Sequence, residues 1–197
     1  MHPLLDARPI VVAIAGPNGA GKSTFYEAFL RGSGLRFVNA DAIARELGIG
    51  AYEAAEVAAA IRRELTAQRE SFVFETVLSD PVGEKVGLLR AGADGGQAVV
   101  LCFIGVASAA VSEERVAMRV TQGEHDVPAE KLVERFPRTL ANLRRAAEAL
   151  PLVLVFDNTD LADPYRRVAQ IEGGETTFRV DPPPPWLADA LGDTDEA

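Results

Sequence analysis

The sequence predicts an α/β fold: a mostly parallel five-stranded sheet flanked by helices, with a β-hairpin closing one edge. Three observations carry that expectation. Short apolar runs alternate with longer stretches of helical periodicity, the pattern of strands joined by crossover helices. At 197 residues, 48% hydrophobic and 25% charged, the chain is long enough for one well-buried domain and too short for two full ones. Near the C-terminus, YRRVAQIEGGETTFRV has two extended segments around Gly173-Gly174, a hairpin signal.

The elements follow in order. Strands are expected at 10–15 (IVVAIA), 35–39 (LRFVN), 71–76 (SFVFET), 98–106 (AVVLCFIGV) and 152–157 (LVLVFD). Helices are expected at 22–31, 41–46, 51–70, 81–91, 107–121 and 128–150, giving the order βαβαβαβαβ before the hairpin. The single domain is expected over 1–180, with residues 107–138 as a helix-loop-helix lid. From residue 181 the run DPPPPW removes consecutive backbone donors, so 181–197 is expected as a Pro-rich, acidic, surface-hugging or loose tail.

Composition narrows function. Acidic residues outnumber basic ones 29 to 20, for a net charge of −9, which argues against a partner held by a nucleic-acid backbone. The single cysteine, Cys102, lies within an apolar run, which excludes disulfides within the chain and a zinc cluster and points to core packing. No run approaches the roughly 18 apolar residues of a membrane span, and MHPLLDARP lacks the marks of a signal peptide. A cytoplasmic location without membrane attachment is expected.

Between the first strand and first helix stands GPNGAGKS, residues 16–23, which matches G-x-x-x-x-G-K-[ST] in the context that motif requires. Glycines let the backbone wind so that successive N–H groups point inward, and the following helix adds its positive dipole end. Gly16, Pro17, Asn18, Gly19, Ala20 and Gly21 are therefore the expected phosphate cradle of a P-loop NTPase. Lys22 is expected on the β- and γ-phosphates, Ser23 on magnesium (Mg2+) and Thr24 on the α-phosphate, with ATP the simplest ligand. The guanine-reading Asn-Lys-x-Asp stretch of switch GTPases and the signature segment of transporter ATPases are both missing from the sequence.

Polar residues at other strand ends are candidates for the acceptor side, where open parallel sheets place ligands. Asp41 follows the second strand and suits a general base; Asp is equally a favoured N-cap for the helix beginning there. Glu75 ends the third strand, where a substrate or magnesium role and a structural salt bridge both explain a charged residue at the end of a buried strand, with Thr76 beside it. Arg115 and Arg119 share a helix face in the lid, and Arg135 returns on the next helix. These arginines suit transition-state charge, or pair with Glu113, Glu114 and Glu134 as ordinary solvated ion pairs. His125 is either a substrate contact or an exposed loop histidine.

AGPNGAGKST, FVNADAIA, FVFETVLS, RVAMRVTQGEHDVPAEKLVERFPRTLANL and VFDNTD, in that order, resemble the zeta-toxin family of P-loop kinases over about residues 11–160. The resemblance implies an adenylate-kinase-like fold and transfer of the ATP γ-phosphate to UDP-N-acetylglucosamine. It implies Lys22 as the phosphate-binding lysine, Ser23 as magnesium ligand, Asp41 as base, Glu75 as the acid of the acceptor cleft, and Arg119 and Arg135 as lid arginines with Arg115 competing. It also raises an antitoxin partner, which no residue of this sequence shows. The chain departs from the family in its lid, which reads GEHDVP, and in Phe136, and so looks like a compact chromosomal type with a less defined acceptor.

Overall fold

The computed structural model describes residues 2–120 and 128–192, excluding the side chains of Arg119 and Val120. The first strand, β1 (Ile10–Ala15), is buried at all six positions and lies at the centre of the sheet. After the glycine loop come α1 (Lys22–Phe25), widened into a π-helical turn over Tyr26–Leu30, and then β2 (Arg36–Val38). Helices α2 (Ala40–Leu47) and α3 (Ala51–Ala67) lead into β3 (Phe72–Thr76). Then follow α4 (Glu84–Asp94), β4 (Ala98–Gly105), α5 (Ala109–Val120) and α6 (Ala129–Ala149). The chain ends through β5 (Leu152–Asp157), β6 (Arg166–Glu172), β7 (Glu175–Arg179) and α7 (Pro185–Leu191).

One sheet of seven strands runs in the order β2-β3-β1-β4-β5-β6-β7. Its first five strands are parallel, and the β6–β7 hairpin extends the β5 edge antiparallel, as the Gly173-Gly174 signal predicts. Both faces are covered, which is why the central strands are apolar throughout. Val11, Ala13 and Ala15 share one core with Phe72, Phe74, Leu101 and Phe103, packed by α3, α4, α6 and α7. Ile10, Val12 and Ile14 share the other with Val100, Cys102 and Phe25. Cys102 is fully enclosed there, and burial pushes its thiol up to about 12, so it packs and does not react.

The chain leaves β1 toward β2 on one side, and leaves β4 toward β5 on the other. The crevice beyond their C-terminal ends is thus a topological switch point, where open α/β sheets hold ligands.

Of the surface-hugging or loose tail expected from residue 181, the described part packs against the domain and carries a helix, which the prolines are expected to prevent. Four prolines do break the preceding strand, but Pro185 is the first residue of α7, where a missing N–H costs nothing. Its apolar face, Trp186, Leu187 and Ala190, is buried against the first core.

Helix α6 contains Pro137 and carries a buried polar stripe. Asn142 donates to the carbonyls of Leu78 and Asp80, both at 2.8 Å, and accepts from Arg145 at 2.7 Å. The Thr139 hydroxyl lies 3.0 Å from the carbonyls of both Val77 and Arg135, donating to one at a time. These contacts fasten the segment after β3 to α6. Asn142→Ala strands a buried carbonyl, Leu78, and a part-buried one, Asp80, and is expected to cost about 2–4 kcal/mol, read as a lowered urea midpoint with unchanged slope. Among the described residues, no helix is long and apolar enough to cross a membrane.

Candidate active site

The glycine loop is clamped from outside at successive carbonyls. Asn158, at the end of β5, donates to the Ala20 carbonyl at 2.8 Å. Tyr165 donates its hydroxyl to the Gly21 carbonyl at 2.9 Å, and the Ser112 hydroxyl donates to the Asn18 carbonyl. Lys22, only 6% exposed, reaches back to the Pro17 carbonyl at 2.8 Å. The Asn18, Ala20 and Gly21 carbonyls are taken by donors from outside the loop, and the amides that open α1 have no intrahelical acceptors, as binding of an anion there would require.

Two glycines explain themselves sterically. Gly16 has φ +144°, and a Cβ there would lie 2.0 Å from the Ile104 carbonyl oxygen on β4. Gly21 has φ +91°, and a Cβ there would meet the Asn158 amide and Tyr165 hydroxyl at 2.8 Å. Gly19 approaches α5 just as closely, beside Ser112 and Arg115.

On the acceptor side, the parallel register sets Glu75 opposite Ile14, close to the end of β1. Its Oε2 accepts from the Ser23 hydroxyl at 2.9 Å and from the Asn39 amide at 3.0 Å. Among the described residues Glu75 has no salt bridge, so the structural ion pair weighed from the sequence is not what holds it. Asn39 accepts from the Ala42 amide at 2.9 Å and is the N-cap of α2. That corrects the capping alternative for Asp41, which stands in the first turn, exposed, accepting no hydrogen bond from a described residue. Thr76 is buried, and its hydroxyl accepts from the Leu78 amide at 3.1 Å, a turn contact.

The lid residues divide. Arg115 donates to the Thr159 carbonyl at 2.8 Å and lies against the glycine loop. Burial pushes the neighbouring Tyr165 phenol above its ordinary value, opposed by a hydrogen bond with Thr24 and the charge of Arg115. Arg135 is half-buried on α6, close enough to help lower the phenol of Tyr52 on α3, after the stronger effect of the hydrogen bond from Lys131. Glu134 pairs with Arg138 instead of Arg135. The Arg119 side chain and His125 lie outside the described residues. Thr24 is exposed at the start of α1.

Sequence reasoning missed Asn39, Asn158, Tyr165 and Ser112. Three were within reach, because Asn39, Asn158 and Ser112 are polar residues that end strands or open a helix bordering the crevice. Tyr165 had no such signal, being brought to the loop by a connection whose path is tertiary.

Among the described residues no group of three or more His, Cys, Asp or Glu side chains could hold a metal by themselves. The hard oxygens of Ser23 and Glu75, 2.9 Å apart at the cradle's edge, do suit magnesium, which keeps most of its waters and takes few protein ligands.

Sheet order, glycine loop and crevice together define a P-loop α/β architecture. A family model described as an AAA domain matches residues 11–145, more than half the chain, and the chain belongs to that family. Among solved structures, it is similar to the AvrRxo1-ORF1:-ORF2 complex with ATP, at 19% identity and a TM-score of 0.59. The match covers 88% of this chain but spans only 62% of that one. It is also similar to the PezAT chromosomal toxin-antitoxin system of Streptococcus pneumoniae, at 15% identity and a TM-score of 0.61, covering 94% of this chain and 76% of that one. Among curated protein sequences there is no match.

Proposed function

We propose that the protein is a magnesium- and ATP-dependent phosphotransferase acting on a hydroxyl of a small molecule, a UDP-amino sugar such as UDP-N-acetylglucosamine being the leading acceptor. One observation carries the reading: a strand-end carboxylate, Glu75, is hydrogen-bonded to the Ser23 hydroxyl and to Asn39, while Asp41, two residues past Asn39 in the first turn of α2, is exposed. Two acids in different settings divide two tasks. Glu75 orients Ser23, which with it would hold the metal, and Asp41 takes a proton from the acceptor hydroxyl.

Lys22 supplies fixed positive charge over the loop, and the loop amides bind phosphate oxygens. Magnesium, held by Ser23 with Glu75 behind it, would add charge neutralisation on the phosphates. Arg119 and Arg135 are the proposed transition-state arginines, and Arg115, bonded to the Thr159 carbonyl and packed near Gly19, serves the donor side. Thr76 and His125 are proposed as acceptor contacts from their places in the sequence motifs. The acceptor assignment is supported by the ordered motifs of the sequence, and an antitoxin partner by the same resemblance and the PezAT likeness.

The test is transfer from γ-labelled ATP to a panel of UDP-sugars, nucleosides and sugar alcohols. Label on a UDP-amino sugar supports the full reading. Label on another acceptor keeps the kinase and replaces the acceptor, and ATP binding without transfer to any of them replaces the enzyme with a nucleotide-dependent switch. Glu75→Gln keeps the side-chain shape and removes the charge, so half-maximal transfer should require about tenfold more Mg2+ or beyond. An unchanged magnesium titration would separate Glu75 from the metal.

A further inference from the structure

The terminal helix touches the phosphate site through a chain of directed contacts. Trp186, 3% exposed, lays its ring in the space left by Gly105, the last residue of β4. A Cβ on Gly105 would lie 2.2 Å from the indole, so that position and the ring are mutually fitted. The indole also stacks on Phe103, with ring centroids 6.1 Å apart. Its Nε1 donates to the Asp157 Oδ1 at 3.2 Å. The same oxygen accepts from the Thr159 amide at 3.2 Å and from the Thr159 hydroxyl. Between them, Asn158 donates its backbone amide to Gly105 at 2.9 Å and its side chain to the Ala20 carbonyl of the glycine loop. The Thr159 carbonyl then takes Arg115.

We infer that α7 is a working part of the nucleotide site, with Trp186 a positioning residue that sets the Asp157–Thr159 turn and through it the glycine loop. The physical reason is geometric. Asn158 can reach Ala20 only if the turn keeps its shape, and that shape is held by one carboxylate oxygen shared among three donors, one of them from α7. The Asp157 side chain is only 13% exposed, and its other oxygen lies 3.9 Å from the Arg166 guanidinium, so the oxygen that loses the indole N–H has little water to take its place. The inference rests on the proposed reading of the loop as an ATP site.

Trp186→Phe keeps an aromatic ring at the position and removes the donor together with the benzo edge that meets Gly105. We expect ATP to bind about three- to twentyfold more weakly, with amide exchange faster across residues 16–25 and 157–165. Leu65→Ala, a core truncation on α3 away from this chain of contacts, is the control. It should lower the melting temperature at least as much and leave ATP affinity and those exchange rates within about twofold of the unaltered chain. Because Trp186 is the only tryptophan, its emission should also change on addition of ATP to the unaltered protein. Unchanged ATP affinity and exchange in Trp186→Phe would overturn the inference, as would equal weakening in Leu65→Ala. Failure of the unaltered chain to bind ATP would overturn the nucleotide reading and the inference with it. The exchange rates, which need no ligand, would still report whether Trp186 orders the loop.

Discussion

Lys22→Ala is expected to reduce phosphoryl transfer about a thousandfold, the loss typical of removing one fixed charge or donor from a stabilised transition state. The lysine is nearly enclosed, and its ammonium already bridges back to the Pro17 carbonyl, so its charge is held over the loop before any ligand arrives. Preorganisation of that kind is what makes a single charge worth several factors of ten. The cost to folding should be small by comparison, about 1 kcal/mol for one carbonyl that loses a donor at the rim of the loop. Lys22→Arg is not expected to restore activity, because the planar guanidinium needs room that a side chain 6% exposed in a tight loop does not have. The measurement is transfer from γ-labelled ATP at saturating acceptor, with circular dichroism to show that the variant is folded. Transfer within threefold of the unaltered chain would remove the phosphate assignment from the loop.

Much of this geometry was legible because burial and local chemistry agreed. IVVAIA and LVLVFD coincide with β1 and β5 at both ends, since each is an apolar run closed by loop or polar residues and enclosed from both faces. GPNGAGKS was readable because the demand for positive φ at Gly19 and Gly21, and for close approach at Gly16, is written into residue type. Elsewhere the same local rules misled. Four prolines read as an end to regular structure, yet Pro is also favoured at the first turn of a helix, and WLADAL behind it supplies the apolar face of α7. At FVNAD, Asn39 and Asp41 were both acceptable caps by residue type; tertiary placement of α2 decided for Asn39. The partners of Glu75 could not be read at all, because Ser23 comes to it through the sheet register and Asn39 through the turn after β2.

That decision about the cap has a consequence for chemistry, and Asp41→Asn is the variant that exposes it. If Asp41 held the start of α2, its loss would act on stability, and any fall in activity would follow from unfolding. Asn39 does that work, accepting from Ala42 while its amide holds Glu75. Asp41→Asn therefore removes only a charge from the first helical turn, worth less than about 1 kcal/mol. Glu75 cannot easily substitute as base, since its Oε2 already accepts from both Ser23 and Asn39. We expect transfer to fall about a hundred- to ten-thousandfold, with ATP affinity and melting temperature nearly unchanged. Asn39→Ala should behave in the opposite way, lowering the melting temperature by loss of the cap and loosening Glu75, with a shifted magnesium dependence. The two variants, two residues apart, thus separate a proton-transfer role from a structural one. Equal transfer by Asp41→Asn and the unaltered chain would leave the crevice with a donor site and a metal site but no base, and would move the search for one to the lid.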